Sequence, residues 1–193
     1  MDITPAIINS YVRSRKTTTP DFFSGKPVPR AVIEELLENA TWAPSHKLTQ
    51  PWRFKVFRKA ALERLGNYLA EAYKKEIPPE SFSEVKYGKT REKSLRSGCV
   101  IIIIMKRSGE GKIPEWEEIA AMGAAIENIW LSLAAYGLGG YWSTPAGIIN
   151  AREFLGLQPD ERCLGLFYLG YSSHTAASRK RHPVADKAEW VEE

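Results

Sequence analysis

Residues 43–52, APSHKLTQPW, concentrate the side chains in this sequence that are best suited to holding a small molecule. Pro44 and Pro51 restrict the backbone at two points, and between them lie two hydroxyls, an imidazole, an ammonium and an amide. A stiff loop that carries hydrogen-bond donors can meet the polar edge of a flat ligand at a low cost in conformational entropy. The sequence therefore indicates a ligand-binding loop, or else a proline-bracketed loop that only turns the chain.

Basic residues gather in three segments, 13–16, 86–96 and 179–182, and the chain of 193 residues has a net charge of +4. Cations beside a hydroxyl suit a phosphate group, because guanidinium and ammonium groups form charge-assisted hydrogen bonds with phosphate oxygens. Such clusters also suit nucleic acid, or they are solvated basic turns. The aromatic residues lie in predicted strands and apolar helices and are not interleaved with the basic runs, which argues against nucleic-acid binding.

The sequence lacks the motifs of several common enzyme classes. It contains no G-x-G-x-x-G after a strand, no Walker motif and no G-x-S-x-G. Its three histidines are scattered, and no set of His, Cys or acidic residues has metal-ligand spacing, so no metal site is predicted. Cys99 opens an apolar run, which favours a structural thiol over a nucleophile. These features are typical of an enzyme whose chemistry resides in a cofactor.

The elements that must position these residues follow from proline, glycine and hydrophobic periodicity. Helices are predicted to begin near residues 5, 29, 60 and 114, with strands over 52–58, 99–105, 141–143 and 164–170. The β-branched run 99–105 predicts a strand buried on both faces. Residues 76–96, with two adjacent prolines and little periodicity, are interpreted as a mobile excursion of loop and short helix that could close over a site.

The helix that begins at Pro114 is predicted to be the longest. Between residues 119 and 138 it carries one acidic residue, Glu127, and is otherwise apolar nearly all round. Such a helix must be buried on every side. In a chain of this size, we expect a second subunit to supply one of those faces.

The bulk composition predicts a single domain over residues 1–193, since 44% of the residues are hydrophobic and 26% are charged. The apolar run 99–105 is too short to span a bilayer, and the N-terminus shows no secretory signal. We expect both cysteines to be buried and reduced, and therefore predict a cytoplasmic protein without membrane association. The polar tail 171–193, tipped with Trp190, is predicted to dock on a partner subunit.

The order of these segments resembles the FMN-dependent nitroreductase family over nearly the whole chain. Segment 15–19, RKTTT, resembles the family's R-R-S-x-R/K element. Residues 43–52 resemble its A-P-S-x-x-N-x-Q-P-W loop, in the A-P-x-H-K form of the shorter, single-domain branch. Segments 121–131, 137–144 and 181–183 resemble the central dimer helix, the strand after it and the basic tail.

The resemblance implies an α+β fold with a central, mostly antiparallel sheet flanked by helices, and a long, buried helix at a dimer interface. It implies a homodimer with FMN at the interface and NAD(P)H as co-substrate. Hydride would pass from NAD(P)H through the flavin N5 to a small electron-poor acceptor such as a nitroaromatic or a quinone. The alternatives are a flavin-binding sensor or carrier without turnover, or another flavin-driven reduction such as dehalogenation.

The resemblance also implies roles position by position. Segment 15–17 and the basic tail would hold the phosphate and ribityl oxygens of FMN, while the loop and the strand after the central helix would face the ring. The implied cofactor-binding residues are Arg15, Lys16, Thr17, Thr19, Pro44, Ser45, His46, Gln50, Trp142, Ser143, Thr144 and Arg181. No catalytic side chain is assigned, and His46 is the best candidate for a proton donor.

The chain departs from the family pattern at Leu48, where the family usually has an asparagine. One amide contact to the flavin is therefore absent, which leaves the redox tuning and the substrate preference open. Lys16 and Thr17 replace an arginine and a serine and keep their chemistry. FMN binding is expected to survive these differences.

Overall fold

Four antiparallel strands form the centre of the fold in a computed structural model, which describes residues 3–109, 111, 113–174 and 180–192. The strands are β1 (Trp52–Phe57), β2 (Cys99–Lys106), β3 (Leu138–Ser143) and β4 (Glu161–Tyr171), in the spatial order β1-β2-β4-β3. All neighbouring strands run antiparallel, with Cys99 opposite Leu169 at the centre of the sheet. The predicted antiparallel sheet is therefore confirmed.

Helices cover both faces of this sheet. The helices are α1 (Pro5–Ser14), which has no buried residue, α2 (Arg30–Thr41), α3 (Ala60–Glu76), α4 (Glu84–Arg96), α5 (Glu115–Ser132), α6 (Ala146–Ile149) and α7 (Arg152–Leu155). Leu36 of α2 and Ile126 of α5 belong to the core on one face. Leu65 of α3, Ile148 of α6 and Leu155 of α7 belong to the core on the other face. The result is the predicted α+β architecture, with helices on either side of one sheet.

β2 joins the two cores because its side chains alternate between the faces. Ile101 and Ile103 point into the core that holds α2 and α5, while Ile102 and Ile104 point into the other core. Residues 99–105 are at most 1% exposed, so the predicted burial on both faces is confirmed. Each such isoleucine contributes about 1.5–3 kcal/mol of burial free energy to the fold.

α5 buries a single stripe within its own chain. The buried residues recur at helical spacing and are Glu118, Ala121, Met122, Ala125, Ile126 and Ile129. The opposite side, here named the uncovered face of α5, consists of Trp116, Ala120, Gly123 and Glu127. Trp116 is 68% exposed, and a Cβ added to Gly123 would meet no atom within 4 Å. The predicted burial on every side is therefore not achieved by one chain, and the second subunit expected to complete it stays a prediction.

The same helix is the one membrane-span candidate found in the described part of the chain. With the 3-10 turn that follows it, Glu115–Tyr136 is long and apolar enough to cross a bilayer by length and composition alone. Here its buried stripe packs in the core that lies on the sheet. The cytoplasmic location stays a prediction.

Residues 76–96 contain α4, which packs against α3. The two helices approach so closely that a Cβ on Gly66 would lie 2.7 Å from the carbonyl oxygen of Arg91. Arg91 also donates hydrogen bonds to Asn67 at 2.6 Å and Glu63 at 3.0 Å. The segment is thus mostly a regular helix in contact with the fold, and its predicted closure over a site stays a prediction.

The described part of the tail, residues 180–192, is exposed, and Trp190 is 84% exposed. Residues 175–179 and 193 of the predicted tail lie outside the described residues. Docking of the tail on a partner subunit stays a prediction.

Candidate active site

A cavity of about 260 Å³ opens between the segment that follows α1 and the C-terminal end of α5. Cations, hydroxyls and an imidazole share its wall, which includes Arg15, Lys16, Thr18, Trp130, Ser172 and His174. We name it the basic cavity. This combination of donors suits an anion, and a phosphate in particular.

Contacts with α5 hold Arg15 at this wall. Its Nε atom lies 3.3 Å from Oε1 of Glu127, and its Cζ atom lies 4.7 Å from the centre of the Trp130 ring. The indole of Trp130 also donates a 3.0 Å hydrogen bond to the carbonyl oxygen of Lys16. The Arg15 side chain is only 21% exposed, so it is packed and not solvated. A guanidinium has five N–H donors, and the contact with Glu127 leaves others for an anion.

The three threonines of segment 17–19 have different environments. Thr18 is buried and lines the basic cavity, whereas Thr17 is exposed and Thr19 is half-buried. The backbone N–H of Thr18 donates to the carbonyl oxygen of Gly140 at 3.0 Å. A Cβ added to Gly139 would lie 2.6 Å from Cβ of Thr18, so glycine is required for this approach. The segment is thereby fixed against the beginning of β3.

A second cavity, of about 430 Å³, lies where the loop 43–52 meets the N-terminal half of α5. We name it the loop cavity, and its wall includes Pro44, Ser45, His46, Trp116, Glu117 and Ala120. Nδ1 of His46 forms a short hydrogen bond with the Glu117 carboxylate. The structure therefore brings three of the four predicted loop residues to one cavity.

The loop itself has an unusual backbone. Lys47, Leu48 and Gln50 have φ values of 51°, 54° and 46°. Residues other than glycine rarely adopt this left-handed backbone conformation. Oγ of Ser45 supports the turn by accepting a 3.2 Å hydrogen bond from the N–H of Gln50. Oγ1 of Thr49 is buried and has no hydrogen-bond partner among the described residues. Backbone strain and an unsatisfied hydroxyl are both features that concentrate at binding sites.

Trp142, Ser143 and Thr144 lie together at the end of β3. The indole N–H of Trp142 donates to the carbonyl oxygen of Leu164 at 3.1 Å. Opposite them, Gly165 has a φ of 116°, beside the irregularity between Ile103 and Ile104 in the β2–β4 register. A Cβ there would lie 2.5 Å from the Ser143 carbonyl oxygen, so the bulged strand packs directly on this end of β3.

The basic cavity and the loop cavity lie at opposite ends of α5. Ala120 lines the loop cavity and Leu131 lines the basic cavity. At 1.5 Å per helical residue, these positions are about 16 Å apart along the helix axis, and the nearest wall residues, Ala124 and Trp130, are about 9 Å apart. In one chain, Arg15 and Lys16 therefore line one cavity and residues 44–46 line another.

The sequence of the whole chain identifies its family. A model of the nitroreductase family matches residues 12–171. The chain belongs to the nitroreductase family. The family predicted from the ordered segments is therefore confirmed.

Two solved structures and a relative illustrate the match. "Putative NAD(P)H nitroreductase YfhC" of Bacillus subtilis is 28% identical over 185 residues, covering 94% of this chain and 93% of that protein. A nitroreductase-like family protein from Bacillus cereus has a TM-score of 0.80 and 25% identity, with both chains fully covered. The FMN-dependent nitroreductase NfnB from Mycobacterium smegmatis, solved with NADPH, has a TM-score of 0.75 and 19% identity and covers 96% and 98%. The predicted nitroreductase-like fold is confirmed by these neighbours.

Several residues that line the basic cavity and the loop cavity were not predicted from the sequence. They are Thr18, Trp116, Glu117, Trp130, Ser172 and His174. Glu117 is one of three acidic residues in the first turn of α5, with Glu115 and Glu118. Those three acids take different partners, because Glu115 pairs with Arg162 at 2.7 Å and Glu118 pairs with Arg107. Only the fold reveals that Glu117 faces the loop.

Seven of the twelve family-derived assignments are not among the described residues that line the basic cavity or the loop cavity, namely Thr17, Thr19, Gln50, Trp142, Ser143, Thr144 and Arg181. Gln50 lies in the strained loop but is not among the described residues that line the loop cavity. Arg181 is exposed on the tail and is not among those that line the basic cavity. All seven assignments stay predictions.

The two thiols are structural. Burial raises the pKa of the Cys99 thiol to about 12, so the group remains protonated at neutral pH and is a poor nucleophile. Burial also raises the pKa of Cys163. Among the residues that the structure describes, no group of three His, Cys, Asp or Glu side chains could hold a metal ion.

Proposed function

We propose that two copies of this single-domain chain hold FMN at their interface and reduce a small electron-poor acceptor, such as a quinone or a nitroaromatic, with NAD(P)H. The main observation in support of this proposal is the uncovered face of α5. It lies between two cavities that are separate within one chain. In a symmetric dimer the same surface meets itself. Two antiparallel copies of α5 would therefore bring the basic cavity of one chain towards the loop cavity of the other.

The residues present fit FMN. The basic cavity offers Lys16, the remaining donors of Arg15 and the hydroxyl of Thr18 to a phosphate dianion. The loop offers the hydroxyl of Ser45, which lines the loop cavity beside His46, to the acceptor-rich edge of a flavin ring. Trp142 and its neighbours at the end of β3 would line the ring.

The relatives support the same chemistry. The Bacillus subtilis relative is named for an NAD(P)H-dependent nitroreductase activity, and NfnB is FMN-dependent and was solved with NADPH. When bound, FMN would supply hydride transfer between NAD(P)H and the acceptor. The chain's own contribution would be to bind the phosphate, orient the ring, exclude water and place donors where negative charge develops.

An absorbance spectrum of the purified protein, recorded without oxygen before and after adding NADPH or NADH, tests this proposal. We expect flavin bands that disappear on addition of the nicotinamide and return when a quinone is added. A yellow protein that neither nucleotide bleaches would favour a sensor or carrier. A colourless protein that does not bind added FMN would contradict the proposal.

A pair of variants tests the phosphate site. Lys16→Gln is expected to weaken FMN binding roughly tenfold to a hundredfold, because it removes a charged hydrogen-bond donor. Arg13→Gln is the matched control, since Arg13 carries the same charge nearby and is not among the described residues lining the basic cavity. FMN titration by fluorescence measures both. Equal affinities for the two variants would remove Lys16 from the site.

A further inference from the structure

The hydrogen bond between His46 and Glu117 has a direction that matters for chemistry. A carboxylate has only acceptor atoms, so Nδ1 of His46 must donate its proton to Glu117. The bond therefore fixes the orientation of the imidazole and keeps a proton on Nδ1, and the carboxylate stabilises the imidazolium cation, in which Nε2 also carries a proton for another partner. The His46 side chain is 49% exposed and lines the loop cavity, whereas Glu117 is 23% exposed.

We propose that Glu117 is a positioning residue that holds His46 so that Nε2 of His46 gives a proton to the acceptor bound in the loop cavity. This inference rests on the proposed function, because that function supplies the acceptor and the electrons. A general acid must be held within hydrogen-bond reach of the atom that it protonates. A carboxylate behind an imidazole is a common way of holding one.

The surroundings single out Glu117 for this role. Glu115 is engaged by Arg162 on β4, and Glu118 is buried and accepts from Arg107 and from the N–H of Ser108 at 3.0 Å. Neither carboxylate is therefore available to the loop. The other charged group beside His46 is Lys47, which lies next to it in the loop. Glu117 also lies in the first turn of α5, where the helix dipole favours its negative charge.

The loop backbone keeps the histidine in place. The carbonyl oxygen of His46 accepts from the N–H of Thr49 at 3.2 Å, and the carbonyl oxygen of Ser45 accepts from the N–H of Leu48 at 3.0 Å. Pro44 restricts the chain on the other side. A side chain anchored at both its backbone and its ring loses little further freedom when an acceptor binds.

Reduction of a quinone acceptor to a hydroquinone takes two electrons and two protons, one of them delivered as part of the hydride. NAD(P)H supplies two electrons as hydride through the flavin, which converts the quinone to a hydroquinone monoanion. In the imidazolium form of His46, which carries a proton on each ring nitrogen, the N–H bond at Nε2 then breaks and an O–H bond forms, giving the hydroquinone and a neutral ring that keeps its proton at Nδ1. The electron pair of the broken bond stays on the imidazole, and water restores the proton.

Two acceptors separate proton delivery from electron delivery. A quinone needs a proton, whereas ferricyanide takes a single electron and no proton. The quantity to be measured is the turnover rate with the quinone divided by the turnover rate with ferricyanide. His46→Gln is expected to lower this ratio roughly a hundredfold, within the usual range for loss of a general acid. Glu117→Ala is expected to lower the ratio roughly tenfold or more. Glu117→Gln still accepts a hydrogen bond and is therefore expected to recover part of this loss.

Glu115→Gln is the matched control. It removes a carboxylate from the same helical turn, but that carboxylate pairs with Arg162 and not with His46. Its quinone-to-ferricyanide ratio is expected to equal that of the unmodified protein. If Glu117→Ala and His46→Gln lower both rates by the same factor, the pair is structural and the proposal is overturned.

A second measurement does not depend on turnover. Nitrogen-15 NMR of the histidine rings in FMN-free protein is expected to show Nδ1 of His46 protonated, with that signal changed by Glu117→Ala and retained in Glu115→Gln. A neutral ring protonated at Nε2 in the unmodified protein would overturn the proposal. If the protein reduces neither acceptor while Nδ1 is protonated as expected, the proposed function fails and the His46–Glu117 geometry stands.

Discussion

Leu48 combines an unfavourable backbone conformation with an exposed apolar side chain. Its φ of 54° is left-handed, and its side chain is 78% exposed. A left-handed conformation costs an ordinary residue roughly 1–2 kcal/mol, and asparagine tolerates it better. Leu48→Asn, which restores the residue usual in the family, is therefore expected to raise the free energy of unfolding by about 0.5–1 kcal/mol in urea denaturation.

Leu48→Ala provides the comparison for this variant. Alanine also has a Cβ and gains no tolerance for the left-handed region, so its unfolding free energy is expected to stay within about 0.5 kcal/mol of the unmodified protein. Equal stabilisation by both substitutions would show that loss of the exposed apolar side chain, and not backbone strain, is responsible.

At the residue scale, the sequence indicates which side chains could hold an anion or a ring, whereas the fold decides which of them face a cavity. The sequence identified Arg15, Lys16 and His46, which do line cavities. It favoured Thr17 and Thr19 over Thr18, because a family pattern does not say which side of the chain faces inward. The partnership of His46 with Glu117 joins residues 71 positions apart, and only the packing of the loop on α5 creates it.

At the element scale, α3 and α4 depend on a close approach at Gly66. Gly66→Ala would place Cβ 2.7 Å from the carbonyl oxygen of Arg91, a backbone atom that cannot move aside alone. We expect the variant to lose about 1–3 kcal/mol of unfolding free energy, measured by urea denaturation. Gly88→Ala on α4 meets no atom within 4 Å and is expected to gain about 0.5–1 kcal/mol. If Gly66→Ala also stabilised the protein, α4 would not be held on α3 in solution.

The elements that the sequence predicted best are those with strong local signals. β2 follows from an uninterrupted β-branched run, and α5 begins after Pro114 and ends before the left-handed Gly137, with a φ of 65°. For residues 76–96, weak periodicity predicts only loop and a short helix, without the length of that helix. α4 forms there through Ser83, whose hydroxyl accepts from the N–H of Lys86 at 3.3 Å, and through contact with α3. The second contribution is tertiary and leaves no local pattern.

At the scale of the whole molecule, two glycines form a matched test of the proposed dimer. Gly123 on the uncovered face of α5 and Gly88 on α4 both lie within helices, and a Cβ at either position meets no atom within 4 Å. In an isolated chain, glutamate at either site should raise helix stability by about 0.5–1 kcal/mol. In the proposed dimer, Gly123→Glu places a charge against the partner subunit.

We therefore expect Gly123→Glu to halve the molar mass measured by light scattering and to lose bound FMN at the same time. Gly88→Glu is expected to keep both. A Gly123→Glu protein that remains dimeric with full FMN content would place the subunit contact elsewhere. Loss of the dimer without loss of FMN would show that one chain suffices for the cofactor.

The central position of β2 also has a consequence for how the chain is made. During translation this strand emerges long before β4, its neighbour on one side. At about 5–20 residues per second, the ribosome leaves that edge open for several seconds. A nascent segment of consecutive isoleucines with an open edge is typical of amyloid-forming peptides. Chaperone supply during synthesis is therefore expected to raise the soluble yield of this protein.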